Sequence, residues 1–197
     1  MNTLLDSRVS DKLNELHDLA AKQQQHDFGS LTNAKRFMAV SPDQGRFLNF
    51  IAGINKSQHI VEFGCSFGIS GIYLASAAKD NQGHLITTEL EASKAETAIQ
   101  NFSAAGLSSL IDVRIGDALQ TLSDVTKVDL LFLDGAKDLY MPVFELLYPK
   151  LTVNALVIAD NIDKPETHDL VDLIRSSDEF TSVTLFDDRM LAAYRRA

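Results

Sequence analysis

Apolar residues recur along this chain first at helical spacing and then in short runs. Between residues 3 and 27, Leu5, Val9, Leu13, Leu16 and Ala20 return every three to four positions, the stripe of an amphipathic helix. The run Gln23-Gln24-Gln25 and Gly29 end that pattern, so residues 28–40 are expected to form a loop. Ser41-Pro42-Asp43-Gln44 then has the form of a helix start. Ser41 is the N-cap, Pro42 takes the first turn where its missing N–H costs nothing, and Gln44 closes a capping box. Phe47, Leu48 and Ile51 supply the buried face of that helix.

From residue 58 onward, short apolar runs alternate with helix-like segments. The runs are His59–Phe63, His84–Thr88, Leu110–Ile115, Val128–Leu133 and Ala155–Ala159, each bounded by Gly, Asp, Asn or Glu. Helical patterns fall at 68–79, 91–105 (before Gly106, a good residue just past a helix end), near 117–123, at 138–150 and at 165–176. Strands apolar on both faces, alternating with helices, imply an α/β fold whose parallel sheet is covered on both sides. Two further runs, Thr181–Phe186 and Met190–Tyr194, are separated only by Asp187-Asp188-Arg189. That gap is too short for a crossover, so they should pair antiparallel at a sheet edge. Seven strands are expected in all, in one domain spanning 1–197. Residues 1–40 form its helix and covering loop, and 41–197 its core.

Composition narrows the function classes. The 197 residues are 45% hydrophobic and 23% charged, ordinary values for a globular chain. With 18 Lys+Arg against 27 Asp+Glu the net charge is −9, which disfavours binding to a nucleic-acid backbone. The single cysteine, Cys65, rules out an internal disulfide framework and fits a reducing compartment. No apolar run is long enough to span a membrane, and MNTLLDSRVSDKLNE acquires charge too early for a signal peptide. A cytoplasmic protein with neither a nucleic-acid nor a membrane partner is expected.

Ligands of open α/β sheets bind beyond the carboxyl ends of the strands, so the residues there carry the chemistry. The first strand runs into Glu62-Phe63-Gly64-Cys65-Ser66-Phe67-Gly68-Ile69-Ser70-Gly71. Gly64 and Gly68 permit a tight turn close to a ligand, and Gly71 permits close helix packing. The second strand ends in Glu89, placed to bind vicinal ribose hydroxyls, and the third in Gly116-Asp117-Ala118. A glycine turn alone marks only a turn, and Glu89 alone only a solvated strand end. Together they point to a nucleoside cofactor. Glu62, inside the first strand, needs a hydrogen-bond donor and suits a cationic ligand better than a pyrophosphate. The fourth strand ends in Asp134, with Lys137 three residues on, and the fifth in Asp160-Asn161. For either aspartate alone, capping of the following helix is the plainer explanation. Two carboxylates and one amide oxygen form a hard, incomplete ligand set of the kind Mg²⁺ prefers, with Lys137 beside it.

These motifs resemble the cation-dependent O-methyltransferases, the family of catechol and caffeoyl-coenzyme A O-methyltransferases, over residues 38–194. The most specific part is Asp134-x-x-Lys137 followed by Asp-Leu-Tyr and later Ala159-Asp160-Asn161. The resemblance implies a Rossmann-like class I methyltransferase fold and S-adenosylmethionine as cofactor. It implies cofactor contacts from Ala39, Val40, Glu62, Gly64, Ser66, Gly68, Ser70, Glu89, Asp117, Ala118 and Asp134. It further implies a divalent ion, Mg²⁺ or another, on Asp134, Asp160 and Asn161, and Lys137 as base, Asp134 sharing in catalysis. The acceptor would be a small phenolic vicinal diol. Two departures stand out. Asn154-Ala155 replaces a common Gly-Gly in what is expected to be a turn remote from the chemistry. The acid with which animal catechol enzymes hold the second hydroxyl has no clear counterpart, although Asp187 and Asp188 lie in a nearby turn.

Other readings stay in view. A nicotinamide-dependent dehydrogenase fits the glycine turn and Glu89, but Gly64-x-x-x-Gly68-x-x-Gly71 departs from Gly-x-Gly-x-x-Gly and no Tyr-x-x-x-Lys occurs. A non-catalytic binding module of the same fold is a third class. Absence of Gly-Lys-Ser/Thr disfavours a nucleoside-triphosphate enzyme. His17, His26, His59, His84 and His168 lack metal-ligand spacing and read as surface or strand-end residues. Phe28, Phe37 and Met38 are expected either in core or interface packing or lining the acceptor pocket. The stripe of the first helix packs on the core or forms a homodimer contact.

Overall fold

The computed structural model describes residues 2–26, 29 and 31–196; Phe28 lies outside the described residues. The first helix, α1, is Ser7–His26, preceded by a 3-10 turn at Thr3–Leu5. Its stripe residues Val9, Leu13 and Leu16 are buried in the chain's own core, whereas Leu5 is exposed. Helix α2 is Pro42–Ile54, and its capping box forms as the sequence predicts. The Gln44 N–H donates to Ser41 Oγ at 3.2 Å, and the Ser41 N–H donates to Gln44 Oε1 at 2.8 Å. Strand β1 (His59–Phe63), α3 (Ile69–Asp80), β2 (His84–Glu89), α4 (Ala92–Ala104) and β3 (Ile111–Ile115) follow. Then come α5 (Ala118–Thr121), β4 (Val128–Leu133), α6 (Tyr140–Leu147), β5 (Leu151–Asp160), α7 (His168–Ser176), β6 (Phe180–Leu185) and β7 (Met190–Arg195).

The seven strands form one sheet in the order β3-β2-β1-β4-β5-β7-β6. The first five pair in parallel, and β7 is antiparallel to both β5 and β6. One apolar layer joins α1 to α4 with one sheet face through Leu48, Ile72, Leu74 and Phe102. The other joins α5, α6 and α7 to the opposite face through Leu122, Val143, Phe144 and Ile174. Chain order reverses between β1 and β4, so the loops after these strands diverge and leave a crevice at their carboxyl ends.

Four segments differ from the sequence expectation. The segments 138–150 and 165–176 each begin with a 3-10 turn, Lys137–Leu139 and Pro165–Thr167, before the α-helix. Helix α5 is a single turn rather than the seven residues expected near 117–123. Strand β5 begins at Leu151, not at Ala155, and contains a bulge: residues 151 to 156 on β5 oppose 128 to 130 on β4. Asn154 sits in that bulge at φ 68°, a left-handed conformation that Asn tolerates better than most residues. The Asn154-Ala155 pair therefore lies in a strand bulge, not a turn. Asn154 Oδ1 also accepts from the Tyr194 hydroxyl. Among the described residues no helix is long and apolar enough to cross a membrane.

Candidate active site

The turn after β1 is held by what it touches. Gly64 lies at φ 102°, and a Cβ there would stand 2.6 Å from the Asp134 carbonyl oxygen and 2.6 Å from the Gly135 nitrogen. Only glycine lets the ends of β1 and β4 approach this closely. Gly68, at φ 87°, caps α3 directly beneath the Phe102 ring, which also lies against Gly71. Glu89, at the end of β2, accepts from the Ser66 N–H at 2.7 Å and from the Glu91 N–H at 3.0 Å. It ties the glycine turn to the β2 terminus and keeps lone pairs on both oxygens for further donors. The Gly116 N–H donates to the Glu89 carbonyl, which ties the start of the Asp117-Ala118 segment to the end of β2. Asp117 itself caps α5 through the Leu119 N–H, at 2.9 Å.

Glu62 is fully buried and finds its donor directly across the β1–β2 ladder, where the Thr87 hydroxyl donates to Oε2 at 2.6 Å. Its Oε1 is buried without a hydrogen-bond partner. Burial pushes this carboxyl up to about 7, against the pull of the Ser70 and Thr87 hydroxyls. Ser70 is buried in the first turn of α3, and Cys65 is buried with its thiol pushed well up by burial, which suits an inert packing residue. Phe37, Met38, Ala39 and Val40 lie over Cys65, Ser66, Phe67, Ile69 and Ser70, leaving a crevice of about 10 Å³, roughly one water. The Phe37 and Phe67 rings stack at 4.4 Å between centroids, and the Lys94 ammonium lies 5.5 Å from the centroid of the Phe67 ring.

At the ends of β4 and β5 the other predicted residues meet. Lys137 Nζ donates to Asp134 Oδ1 at 3.0 Å and to the Tyr140 hydroxyl at 2.9 Å. The Tyr140 hydroxyl donates in turn to the Asp160 carbonyl at 2.9 Å. Gln44 Nε2 reaches across from α2 to Asp160 Oδ1, 3.0 Å away, and the Asn161 amide lies 3.4 Å from Oδ2. Asn161 takes a left-handed φ of 56°, which turns the chain sharply at the strand end. Burial pushes the Asp134 carboxyl up to about 7; Lys137 pulls it down and the charge of Asp160 pushes it up. Burial also raises Asp160, and burial together with both aspartates raises the Tyr140 phenol. Among the described residues no three His, Cys, Asp or Glu side chains form a metal-binding group; the cluster is two carboxylates and one amide.

Tyr140, Arg189 and the second role of Gln44 were not legible in the sequence. Tyr140 is visible as the last residue of the Asp-Leu-Tyr motif but without a role, and Gln44 only as a capping residue. Arg189 stands in a turn whose position depends on strand order. The histidines are mostly accounted for structurally. His17 meets the Tyr73 hydroxyl at 3.1 Å, His168 is exposed, and His59 pairs with Asp129 at 2.9 Å. A wide, shallow depression of about 580 Å³ by α5 is lined by Arg114, already paired with Asp112 and Asp124, and neither Asp134 nor Asp160 lines it.

Comparison with known proteins gives the family and the fold. The family model for O-methyltransferases matches residues 7–164. A catechol O-methyltransferase of Niastella koreensis is 33% identical over 130 residues, covering 64% of this chain and 58% of that protein. Caffeoyl-CoA O-methyltransferase 2 of Eucalyptus globulus is 26% identical over 168 residues, 82% of this chain and 64% of that protein. The chain thus matches less than two thirds of the length of these relatives. The crystal structure of an O-methyltransferase from Bacillus cereus in complex with SAH superposes with a TM-score of 0.77 at 23% identity, covering 94% of this chain and 91% of that one. The seven-stranded sheet with its antiparallel C-terminal pair has the class I methyltransferase fold expected above.

Proposed function

This chain belongs to the O-methyltransferase family, and from that premise we propose that it methylates one oxygen of a phenolic vicinal diol with S-adenosylmethionine, assisted by a divalent cation. The observation that carries the reading is the meeting of Asp134, Lys137, Asp160 and Asn161 on neighbouring strand ends, beside the glycine turn. Relatives named catechol and caffeoyl-CoA O-methyltransferase support a phenolic acceptor. Family membership sets aside the dehydrogenase reading.

The residues present fit both absent groups. The buried, unpartnered Oε1 of Glu62 suits an ammonium donor, and Glu89 retains acceptor capacity for ribose hydroxyls. Gly64, Ser66, Gly68 and Ser70 would hold the amino-acid end of the cofactor, Ala39 and Val40 would cover it, and Asp117 and Ala118 would flank the adenine. S-adenosylmethionine, when bound, supplies an electrophilic methyl on a sulfonium. Asp134 and Asp160 are both raised by burial even with Lys137 acting on them, so their surroundings are short of positive charge. A hard dication on Asp134, Asp160 and Asn161 answers that shortage, and when bound it favours ionisation of an adjacent phenol. Lys137 accepts the phenolic proton at Nζ, which Asp134 and Tyr140 hold in place. Gln44, reaching over from α2, fixes the orientation of the Asp160 carboxylate.

The test is methyl transfer from labelled S-adenosylmethionine to a panel of vicinal-diol phenols, with Mg²⁺ and again with EDTA. Transfer is expected only with Mg²⁺. Equal transfer in EDTA overturns the metal assignment, and no transfer in either arm overturns the activity.

A further inference from the structure

The β6–β7 turn is built at a conformational cost. Phe186, Asp187 and Asp188 take φ values of 56°, 55° and 60°, three successive non-glycine residues in the left-handed region. Side chains with a Cβ disfavour this region, so neighbouring contacts must hold the turn. The Thr184 hydroxyl donates to Asp188 Oδ1 at 2.9 Å, the Arg189 N–H donates to the Phe186 carbonyl, and the Phe186 ring meets Phe47 of α2 edge-on at 5.8 Å. The Ile162 N–H donates to the Arg189 carbonyl at 2.9 Å, and Met190 pairs with Asp160 across the β5–β7 ladder. The turn therefore fixes Arg189 beside the strand end that carries Asp160 and Asn161.

The Arg189 side chain is only loosely held there, by one long ion pair to Asp163. It is 54% exposed and makes no side-chain hydrogen bond among the described residues; its nearest carboxylate oxygen, on Asp163, stands 3.8 Å from Nε and is itself paired with Lys164 at 3.1 Å. Arg8, Arg46, Arg114 and Arg195, by contrast, hold carboxylates at 3.1 Å or less. Asp188 in the same turn is occupied by Thr184, and Asp187 is exposed. Because β7 runs beside β5, the turn holds Arg189 next to the strand end that carries two of the residues assigned to the cation and its acceptor.

We propose that Arg189 is a specificity determinant that makes the acceptor site prefer a vicinal-diol phenol bearing a carboxylate over the same diol without the charge. The proposal rests on the methyltransferase reading above. A guanidinium matches a carboxylate through two parallel N–H donors, a geometry that neither a neutral ester nor an unsubstituted ring can satisfy. If a dication balances both aspartates, the Arg189 guanidinium keeps as counter-charge only Asp163, which is distant and already paired with Lys164. A ring carboxylate answers that charge.

The experiment compares 3,4-dihydroxybenzoate with its methyl ester, which keeps ring and diol but loses the charge. Wild type, Arg189→Met and Arg189→Lys are each assayed for kcat/KM. The affinity for both compounds is also measured by calorimetry on the protein loaded with S-adenosylhomocysteine and Mg²⁺, where no turnover occurs. Wild type should favour the acid about ten-fold or more, mainly through KM. Arg189→Met should bring the acid-to-ester ratio near unity, and Arg189→Lys should restore part of it. A ratio unchanged in Arg189→Met, or a wild type that favours the ester, overturns the proposal while leaving methyl transfer intact. If neither compound is methylated but the acid still binds more tightly in an Arg189-dependent way, the anion site stands and the transfer reading fails. Equal binding of acid and ester in an inactive protein overturns both.

Discussion

Gly64→Ala tests the close approach of β1 to β4 that positions the whole site. The added Cβ would lie 2.6 Å from the Asp134 carbonyl oxygen and 2.7 Å from its carbonyl carbon. Ordinary carbon contacts lie at about 3.5–4.0 Å, so one strand end must retreat by about 1 Å. The atoms in the way are backbone, with no rotamer available to relieve the clash. Strain at a φ of 102° adds roughly 1–3 kcal/mol, and overpacking about 1–3 kcal/mol more. A loss of about 4 kcal/mol converts, at 2–4 °C per kcal/mol for a chain this size, to a fall in Tm of roughly 8–16 °C. The matched control is Gly53→Ala near the end of α2, where an added Cβ meets nothing within 4 Å. The same methyl there should stabilise by about 0.5–1 kcal/mol, because alanine loses less entropy in a helix. Thermal unfolding followed at 222 nm reads both variants. Calorimetric titration with S-adenosylhomocysteine should also show at least a ten-fold loss for Gly64→Ala and none for Gly53→Ala. If Gly64→Ala melts within about 3 °C of wild type and binds normally, the inferred strand contact is wrong.

Three further outcomes follow from the same geometry. Lys137→Met keeps the aliphatic stem but removes the Nζ contacts to Asp134 and Tyr140; kcat should fall roughly 10²–10⁴-fold while S-adenosylhomocysteine affinity stays within about three-fold, and a drop below ten-fold would count against a proton-transfer role. Burial alone would raise Asp129, but donors from His59, Gln58 and Thr152 outweigh it and leave the carboxyl below its usual value. Its stabilising contribution is therefore complete above the unfolded value near ~3.9 and lost as pH falls through the folded one, so the Tm gap between wild type and Asp129→Asn should shrink from pH 6 to pH 3; a constant gap refutes the linkage. Glu62 runs the other way: raised by burial to about 7, it contributes stability that is full below the unfolded value and lost as pH climbs through the folded one. Glu62→Gln should gain on wild type by about 3 kcal/mol in urea unfolding between pH 4 and pH 8, and parallel pH profiles would refute it.

Much of this was legible because the relevant signals are local. Lys137 follows Asp134 by three residues, and Asp160 and Asn161 are adjacent, so no tertiary knowledge is needed to see each pair. The capping box at Ser41 and Gln44 depends only on a three-residue spacing. What escaped is what depends on register. The need of Glu62 for a donor was evident, but the donor is Thr87 because β1 and β2 pair in parallel with those two residues opposite. The extra length of β5 was missed because a bulge at Asn154 breaks the apolar pattern of the strand.

The sequence by itself determined the alternation of strands and helices, the antiparallel last pair and the carboxylates, amide and amine at the strand ends. These follow from side-chain period and from residues close together in the chain, where local sterics and hydrogen bonding suffice. Only the tertiary structure decided that Gln44 reaches Asp160 from 116 residues away, that Tyr140 bridges Lys137 to the Asp160 backbone, and that Arg189 stands beside that strand end. The physical reason is strand order. Once the chain reverses direction across the sheet between β1 and β4, and β7 inserts beside β5, residues remote in sequence share one crevice that no local pattern encodes.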